Sequence, residues 1–380
     1  MYSLGEYGSM IVDAVRTGPY RQAIEAAVKP RSVVIDLGCG PGYFALMACC
    51  AGARKVYAID LAEIAQFGRH LASANNFSGR IEFLQGDSRQ IQLPERADVI
   101  VSDIRGALPF YSHSMVSLED ARQRFLAEGG VLIPERDTLY AAIVEAEKLY
   151  SDVTAPWCGP ANGLDLSPAL PYVLNEVHPA HLAVEQLITE AQPWCVIDYT
   201  KSLSIPAEAK LQFRAKREGT AHGIAIWFDT QLFKHIGFSC GPGSPRTVYG
   251  HSFFPWLKAV ALRAGQEIRV ELHADLVGAD YIWRWETQIS DTGKGVVQRF
   301  QQSTLQGARF SPEWLRRHAE DFVPVLSEAG HAERWLLQAM DGCAPLQEIA
   351  RAAAQRFPRV FSNADEAFRR VSELSERFCR

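Results

Sequence analysis

The stretch VVIDLGCGPGYFAL at residues 33–46 constrains this chain more than any other. Residues 32–37 have the length and branching of a buried strand, and 43–51 read as a helix. Between them Gly38, Gly40 and Gly42 fall at every second position, where the backbone can pass close beneath a ligand that a Cβ would strike. A strand that turns through glycines into a helix opens a βα unit. Further strands read at residues 55–59, 80–84 and 98–101, with helical stretches between, so the first part of the chain is an α/β domain with a parallel sheet.

The chemistry of the turn follows from its spacing. A nicotinamide-binding turn would show GxGxxG, with a pyrophosphate on the helix N-terminus. Here Asp36 closes the strand and the glycines alternate as DxGxGxG, which suits an amino acid and a sulfonium. Asp60 ends the next strand, with Leu61 beside it, and a carboxylate there can accept both ribose hydroxyls. After the third strand comes QGDS, where Gly86, Asp87 and the Ser88 backbone can reach an adenine amino group. Each feature alone has a plainer reading as βα geometry or a helix cap. Three in this order point to S-adenosylmethionine (SAM) as cofactor, with S-adenosylhomocysteine (SAH) as product.

From about residue 138 the apolar period becomes two. TLYAAIVEA, HGIAIWF, EIRVELHA and YIWRWETQI alternate or carry β-branched and aromatic residues between turn residues, which predicts a β-barrel or sandwich. Residues 155–178, rich in Pro, Gly and Asn, interrupt those strands as a loop or an arm reaching a partner. The last fifty residues turn helical: Leu346, Ile349, Ala350 and Ala353 share a face, and Asn363-x-x-Glu366 can cap a helix carrying Ala367, Val371 and Leu374. The expected parts are thus 1–135, 136–325 and a helical appendix at 326–380. A length of 380 residues suits such a division, since single cores stop growing at about 250–300 residues.

A net charge of −5 offers no basic face to a phosphate backbone, which argues against nucleic acid as a partner. No apolar run approaches the ~18 residues of a membrane span, and no charged-then-apolar leader is visible, so a cytoplasmic location is expected, with no membrane partner. Eight scattered cysteines lack any CxxC pair or zinc spacing, which predicts reduced thiols and no metal.

Over residues 1–310 the chain resembles the protein arginine methyltransferase family. The motifs that carry the likeness are YSLGEYGSMIVDAVRTGPYR, DLGCGPGYFALMACCAGARKVYAID, SDIRGALPFYSHSM, LIPERDTLYAAIVE, and GFSCGPGSPRTVYGHSFF followed by RAGQEI, in family order. The resemblance implies a Rossmann-like class I methyltransferase sheet, a β-barrel walling the substrate cleft, and a homodimer formed through an arm, here residues 155–178. By match, Arg16 would pair with the SAM carboxylate, Met10 would pack near the sulfonium and Tyr7 would help to lid the site. Without the family match, Arg16 reads as an exposed helix charge.

The departures from the family bear on the acceptor. Members that methylate arginine grip its guanidinium with two glutamates, because that group stays protonated and presents a planar fork of donors. Here the first position is Asp103 and the second Ser112; Arg105 stands where many members have Met, and the family's Thr-His-Trp aligns with Thr247-Val248-Tyr249. A cationic acceptor would meet one short carboxylate beside a like charge, so a neutral or anionic nucleophile on a peptide or protein is expected. Asp103, also counted at the cofactor, would be hydrogen-bond acceptor or general base, Arg105 the anchor and His113 a second base. His113 reads equally as a solvated loop histidine, and Arg105 as a cation turned outward to a surface carboxylate.

The appendix looks like the small winged-helix, peptide-binding domains of the pyrroloquinoline quinone chaperone type. That likeness implies a leader-guided precursor of a ribosomally made peptide natural product as substrate; the alternative is a helical cap over the barrel or dimer edge. Arginine as acceptor, in a peptide or as the free amino acid, stays open. So does a catalytically silent SAM-binding scaffold, against which the joint retention of Asp36, Asp60 and Arg16 argues.

Overall fold

The computed structural model describes residues 2–201, 207–291, 295–307, 316–317 and 321–379. They fall in two compact units, Met1–Ala308 and Arg309–Arg380. The first unit opens with helices α1 (Leu4–Val12) and α2 (Ala14–Ala27), separated by Asp13. A capping box between Ser3 and Glu6 starts α1, and the Asp13 side chain caps α2 by accepting from the Arg16 amide.

Five parallel strands follow: β1 (Val33–Leu37), β2 (Lys55–Asp60), β3 (Ile81–Gln85), β4 (Ala97–Ser102) and β5 (Leu126–Ile133), in spatial order β3-β2-β1-β4-β5. Helices α3 (Tyr43–Cys50), α4 (Ile64–Ala74) and α5 (Ser114–Phe125) connect them. Every residue of the central strand β1 is buried, as expected for a parallel sheet covered on both faces. The sequence reading contained four of these strands. It missed β5, where Gly129-Gly130 and a half-exposed first half blunt the apolar pattern.

The rest of the unit is β-rich. β6 (Arg136–Val144) leads, through α6 (Glu147–Thr154), into the 155–178 insertion, which holds a two-residue ladder of β7 (Pro160–Ala161) with β8 (Leu164–Asp165) and a short α7 (Leu170–Val173). Then come β9 (His178–Ala180), β10 (Gln192–Asp198), β11 (Ala207–Arg214), β12 (Gly219–Phe233), β13 (Ile236–Ser239), β14 (His251–Leu262), β15 (Glu267–Val277), β16 (Asp280–Asp291), β17 (Gly295–Ser303) and α8 (Thr304–Gly307). Two antiparallel sheets result, one ordered β10-β6-β12-β14-β9 with β13 on β12, the other β11-β15-β16-β17. In β15, Ile268, Val270, Leu272 and Ala274 are buried at alternate positions, the period-two pattern visible in the sequence.

One apolar core runs through both halves of this unit, joining Ile35 and Tyr57 of the parallel sheet to Leu139, Ile224 and Trp285 of the antiparallel ones. The long strand β12 also sends Leu232 and Phe233 into a second core with Tyr20 and Phe44, where Tyr20 stacks on Phe44 at 4.5 Å. This shared burial holds the two halves as one unit and fixes α2 against β12 and β13.

The second unit holds α9 (Glu328–Ala339), α10 (Leu346–Arg356) and α11 (Ala364–Phe378) around Leu336, Ile349, Ala353, Phe361 and Val371. Asn363 caps α11 by accepting from the Glu366 amide at 2.9 Å. Among its described residues there is no strand, in keeping with the helical character expected of the appendix.

Candidate active site

The glycine turn closes over the end of β1. Gly38, Gly40 and Gly42 all have positive φ, at 74°, 51° and 84°. A Cβ on Gly40 would lie 2.5 Å from the Tyr7 ring, and one on Gly42 would lie 2.7 Å from Phe83. The turn is held to β2 by the Gly38 and Cys39 amides, which donate to the Ile59 carbonyl at 2.8 and 3.0 Å.

Beside this turn opens a cavity of about 430 Å³. From the cofactor set expected from sequence, its wall includes Tyr7, Met10, Arg16, Gly38, Gly40 and Asp60. Leu61, Gly86, Asp87, Ser88 and Asp103 of that set also line it, as do Arg105, Ser112 and His113. Two expected contact residues do not line it. Asp36 lies beneath the turn, where one carboxylate oxygen accepts from the Ala45 amide in the first turn of α3 at 2.8 Å and the other has no partner. Burial pushes its carboxyl up to about 7. Gly42 is the left-handed N-cap of α3 and packs against Phe83. Both therefore shape the turn instead of lining the cavity, because the backbone between them carries the open surface.

The donors and acceptors left at one end of the cavity suit SAM. Asp60 accepts from the Gly40 amide on one oxygen and from the Ala62 amide on the other, both at 2.8 Å. A carboxylate has about four lone-pair sites, so one remains on each oxygen for a pair of hydroxyls. Arg16 spends Nε on Asp103 and Tyr249 and one Nη1 hydrogen on the Met10 carbonyl, while Nη2 makes an ion-pair contact with Asp103. Of its five N–H groups at least one remains on each terminal nitrogen, a fork matched to a carboxylate. Asp87 is tied to Arg89 through both oxygens, and this hydrogen bonding holds its carboxyl below the ordinary range. Arg124, which the sequence reading missed, donates to the Ser88 and Ile91 carbonyls at 2.7 and 2.9 Å and so fixes the loop after β3.

The other end differs. Oδ2 of Asp103 accepts from Arg16 Nε at 2.6 Å and the Tyr249 hydroxyl at 2.5 Å, with Arg16 Nη2 in ion-pair contact at 2.5 Å. Oδ1 accepts from Nε and Nη2 of Arg105, each at 3.2 Å. Four donors meet the four or so lone pairs of the carboxylate. Burial alone would raise the Asp103 carboxyl, but the Arg16 and Arg105 guanidiniums overcome it and hold the group below its ordinary value. A saturated, ionised carboxylate is a poor base, so the general-base role expected for Asp103 does not fit its surroundings.

Arg105 is equally engaged. Beyond its two bonds to Asp103 it donates to Asp137 at 2.7 Å, to Thr230 at 2.9 Å and to the Tyr20 hydroxyl at 2.7 Å. All five of its N–H groups are used, so neither the anchor role nor the outward-turned reading survives. Sequence inspection could not find Asp137, which is fully buried at the start of β6 and gives its other oxygen to the Tyr199 hydroxyl at 2.6 Å. It also missed Asp13, whose second oxygen accepts from the Val248 amide at 2.8 Å and ties the junction of α1 and α2 to the β-rich half. The one local signal was an acid three residues before Arg16. His113 is the half-buried N-cap of α5, and among the described residues its imidazole makes no hydrogen bond.

A parallel βα sheet with a glycine cradle, a ribose-type carboxylate and a free guanidinium fork defines a class I SAM-dependent methyltransferase site. Comparison with known proteins agrees. Residues 21–134 match the family model described as ribosomal protein L11 methyltransferase, and 135–278 match the arginine methyltransferase oligomerization subdomain. Protein arginine N-methyltransferase 1 of Schizosaccharomyces pombe is 30% identical over 275 residues, covering 70% of this chain and 80% of the relative. The Saccharomyces cerevisiae protein of the same name is 29% identical over 280 residues, with 70% and 80% covered. Among solved structures, the Trypanosoma brucei PRMT1 enzyme-prozyme complex with AdoHcy superposes with a TM-score of 0.70 at 22% identity, covering 79% of this chain and 98% of that one. Arabidopsis thaliana protein arginine methyltransferase 10 gives 0.70 at 20% identity, with 80% and 98% covered. The chain belongs to the protein arginine methyltransferase family, and it is a SAM-dependent methyltransferase of that fold.

Proposed function

We propose that this enzyme methylates a neutral nucleophile on a peptide or protein side chain, and not the guanidinium of arginine. The observation that carries the reading is the saturation of Asp103 by Arg16, Arg105 and Tyr249, with Ser112 in place of a second carboxylate. A guanidinium entering the cavity would find no acceptor valence on Asp103 and would lose its hydration without replacement.

SAM supplies an already activated methyl group, so the protein's task is chiefly alignment. The Arg16 fork would take the amino-acid carboxylate, Asp60 the ribose hydroxyls, and Gly86 with the Ser88 backbone the adenine, with Asp87 turned to Arg89. Tyr7 and Met10 would cover the sulfonium. His113 would accept the proton that the nucleophile loses, since its imidazole is uncommitted at the cavity wall. Residues 1–135 would thus serve the cofactor and 136–325 the acceptor. The 155–178 arm, exposing Leu164 and Tyr172, would close a homodimer, in keeping with the oligomerization subdomain it falls in. The helical unit from 326 onward would receive a leader-type peptide, in a protein of the cytoplasm.

The test is transfer of labelled methyl from SAM to peptide mixtures, with the modified atom located by mass spectrometry. Methylarginine as the sole product would overturn the neutral acceptor and favour the activity named for the relatives. With an acceptor in hand, His113→Gln should lower the transfer rate by about 10²–10⁴ and leave SAH affinity unchanged. An unchanged rate would deny His113 the role of base.

A further inference from the structure

We propose that the Arg105–Asp137 pair is the specificity element of the acceptor pocket: Arg105 is a built-in guanidinium that occupies Asp103 and so shuts out an arginine side chain. This rests on the neutral-acceptor reading and assigns it a cause.

Four charges make up the buried cluster. Arg16 and Arg105 balance Asp103 and Asp137, and none of the four side chains is more than 9% exposed. A third guanidinium would leave one buried positive charge without a counter-ion. Arg105 reaches Asp103 through the Nε and Nη2 edge, the same two-nitrogen face that a guanidinium ligand presents to a carboxylate, but at 3.2 Å on a single oxygen. Its shorter bonds all run elsewhere, to Asp137, Thr230 and Tyr20. The Phe228 ring lies 5.0 Å from the guanidinium carbon as a further restraint. The β-rich half and α2 thus hold Arg105 in place, and Asp103 receives what that placement leaves.

Asp137 is the reason the arrangement persists. It lies at 0% exposure on β6 with one oxygen on Arg105 and the other on Tyr199. Without Arg105 it would be a buried charge without a counter-ion, so the two residues must be exchanged together for Asp103 to open.

The experiment uses the full chain, labelled SAM and a glycine-flanked arginine peptide as probe, with SAH affinity measured in parallel. Wild type and S112E should transfer no methyl to arginine above a protein-free blank. R105M/D137N/S112E, which removes both buried charges and supplies the second carboxylate, should give at least about tenfold more methylarginine than wild type. R105Q/D137N/S112E exchanges the same buried pair for two neutral amides that can hydrogen-bond each other, and serves as the deciding variant, with the same expected gain, if the first triple variant loses SAH binding. A variant with wild-type SAH affinity and no gain overturns the proposal. So does a full gain from S112E alone, which would make residue 112 the determinant. Methylarginine from the wild type is a different result, because it sinks the neutral-acceptor reading itself.

Discussion

The two ends of the cavity are built from the same residue types and behave oppositely. At the cofactor end Asp60 and Arg16 each keep hydrogen-bonding capacity after the protein has used its share. At the end proposed for the acceptor Asp103 and Arg105 keep none. A charged residue in a pocket therefore says little about ligands until its valences are counted. An open valence binds; a saturated one holds elements together. Arg16 belongs to both ends, with one edge on Asp103 and a free fork at the wall.

That double membership makes Arg16→Ala the harshest test. It should abolish measurable SAH binding and destabilise the protein by about 3–5 kcal/mol, because Asp103 loses one of two counter-ions. Arg16→Lys should recover part of the stability in denaturant titrations and little of the binding. Normal SAH affinity in Arg16→Ala would erase the distinction between the ends.

Next in size is a pH effect beneath the glycine turn. Burial lifts the Asp36 carboxyl from 3.8 to about 7, so between those values the native state holds the proton more tightly than the unfolded chain. The group's contribution is fully present below about pH 4 and is lost as pH rises through about 7. Asp36→Asn should then stabilise the ligand-free protein at pH 8 by about 2–4 kcal/mol and change nothing near pH 4. Equal effects at both pH values in thermal melts would place the proton elsewhere.

Asp60→Ala should weaken SAH binding by about tenfold to a hundredfold in calorimetric titration, with little change in melting temperature. Binding that weakens only in step with stability would make Asp60 a structural residue like Asp103. The smallest effect belongs to Ser112→Ala, where stability should move by less than about 0.5 kcal/mol and SAH affinity not at all. A large loss of SAH affinity would extend the cofactor end across the whole cavity.

Much of the cofactor end was legible in the sequence. The glycine spacing, Asp60 and the loop after β3 are short local patterns, and all but Asp36 and Gly42 of the expected set line the cavity. Those two exceptions are instructive, since a motif marks where a turn comes close to a ligand and cannot say which of its residues touch. At the other end Asp103 and Arg105 do line the cavity wall, but the protein itself engages their charged groups. Asp103 and Arg105 stand out as departures from the family pattern, but their partners Asp137, Tyr249 and Arg16 lie 32, 146 and 87 residues away in other elements.

By itself the sequence determined the α/β order, the SAM turn, the period-two strands of the β-rich half and the capped helix at the end. Each is set by neighbours within a few residues, through strand alternation, helix spacing or a glycine's freedom at positive φ. Only the tertiary structure decided which charges are spent. Hydrogen-bond capacity at Asp103 and Arg105 is exhausted by groups brought together from α2, β6, β12 and the segment before β14, and no local pattern encodes that meeting.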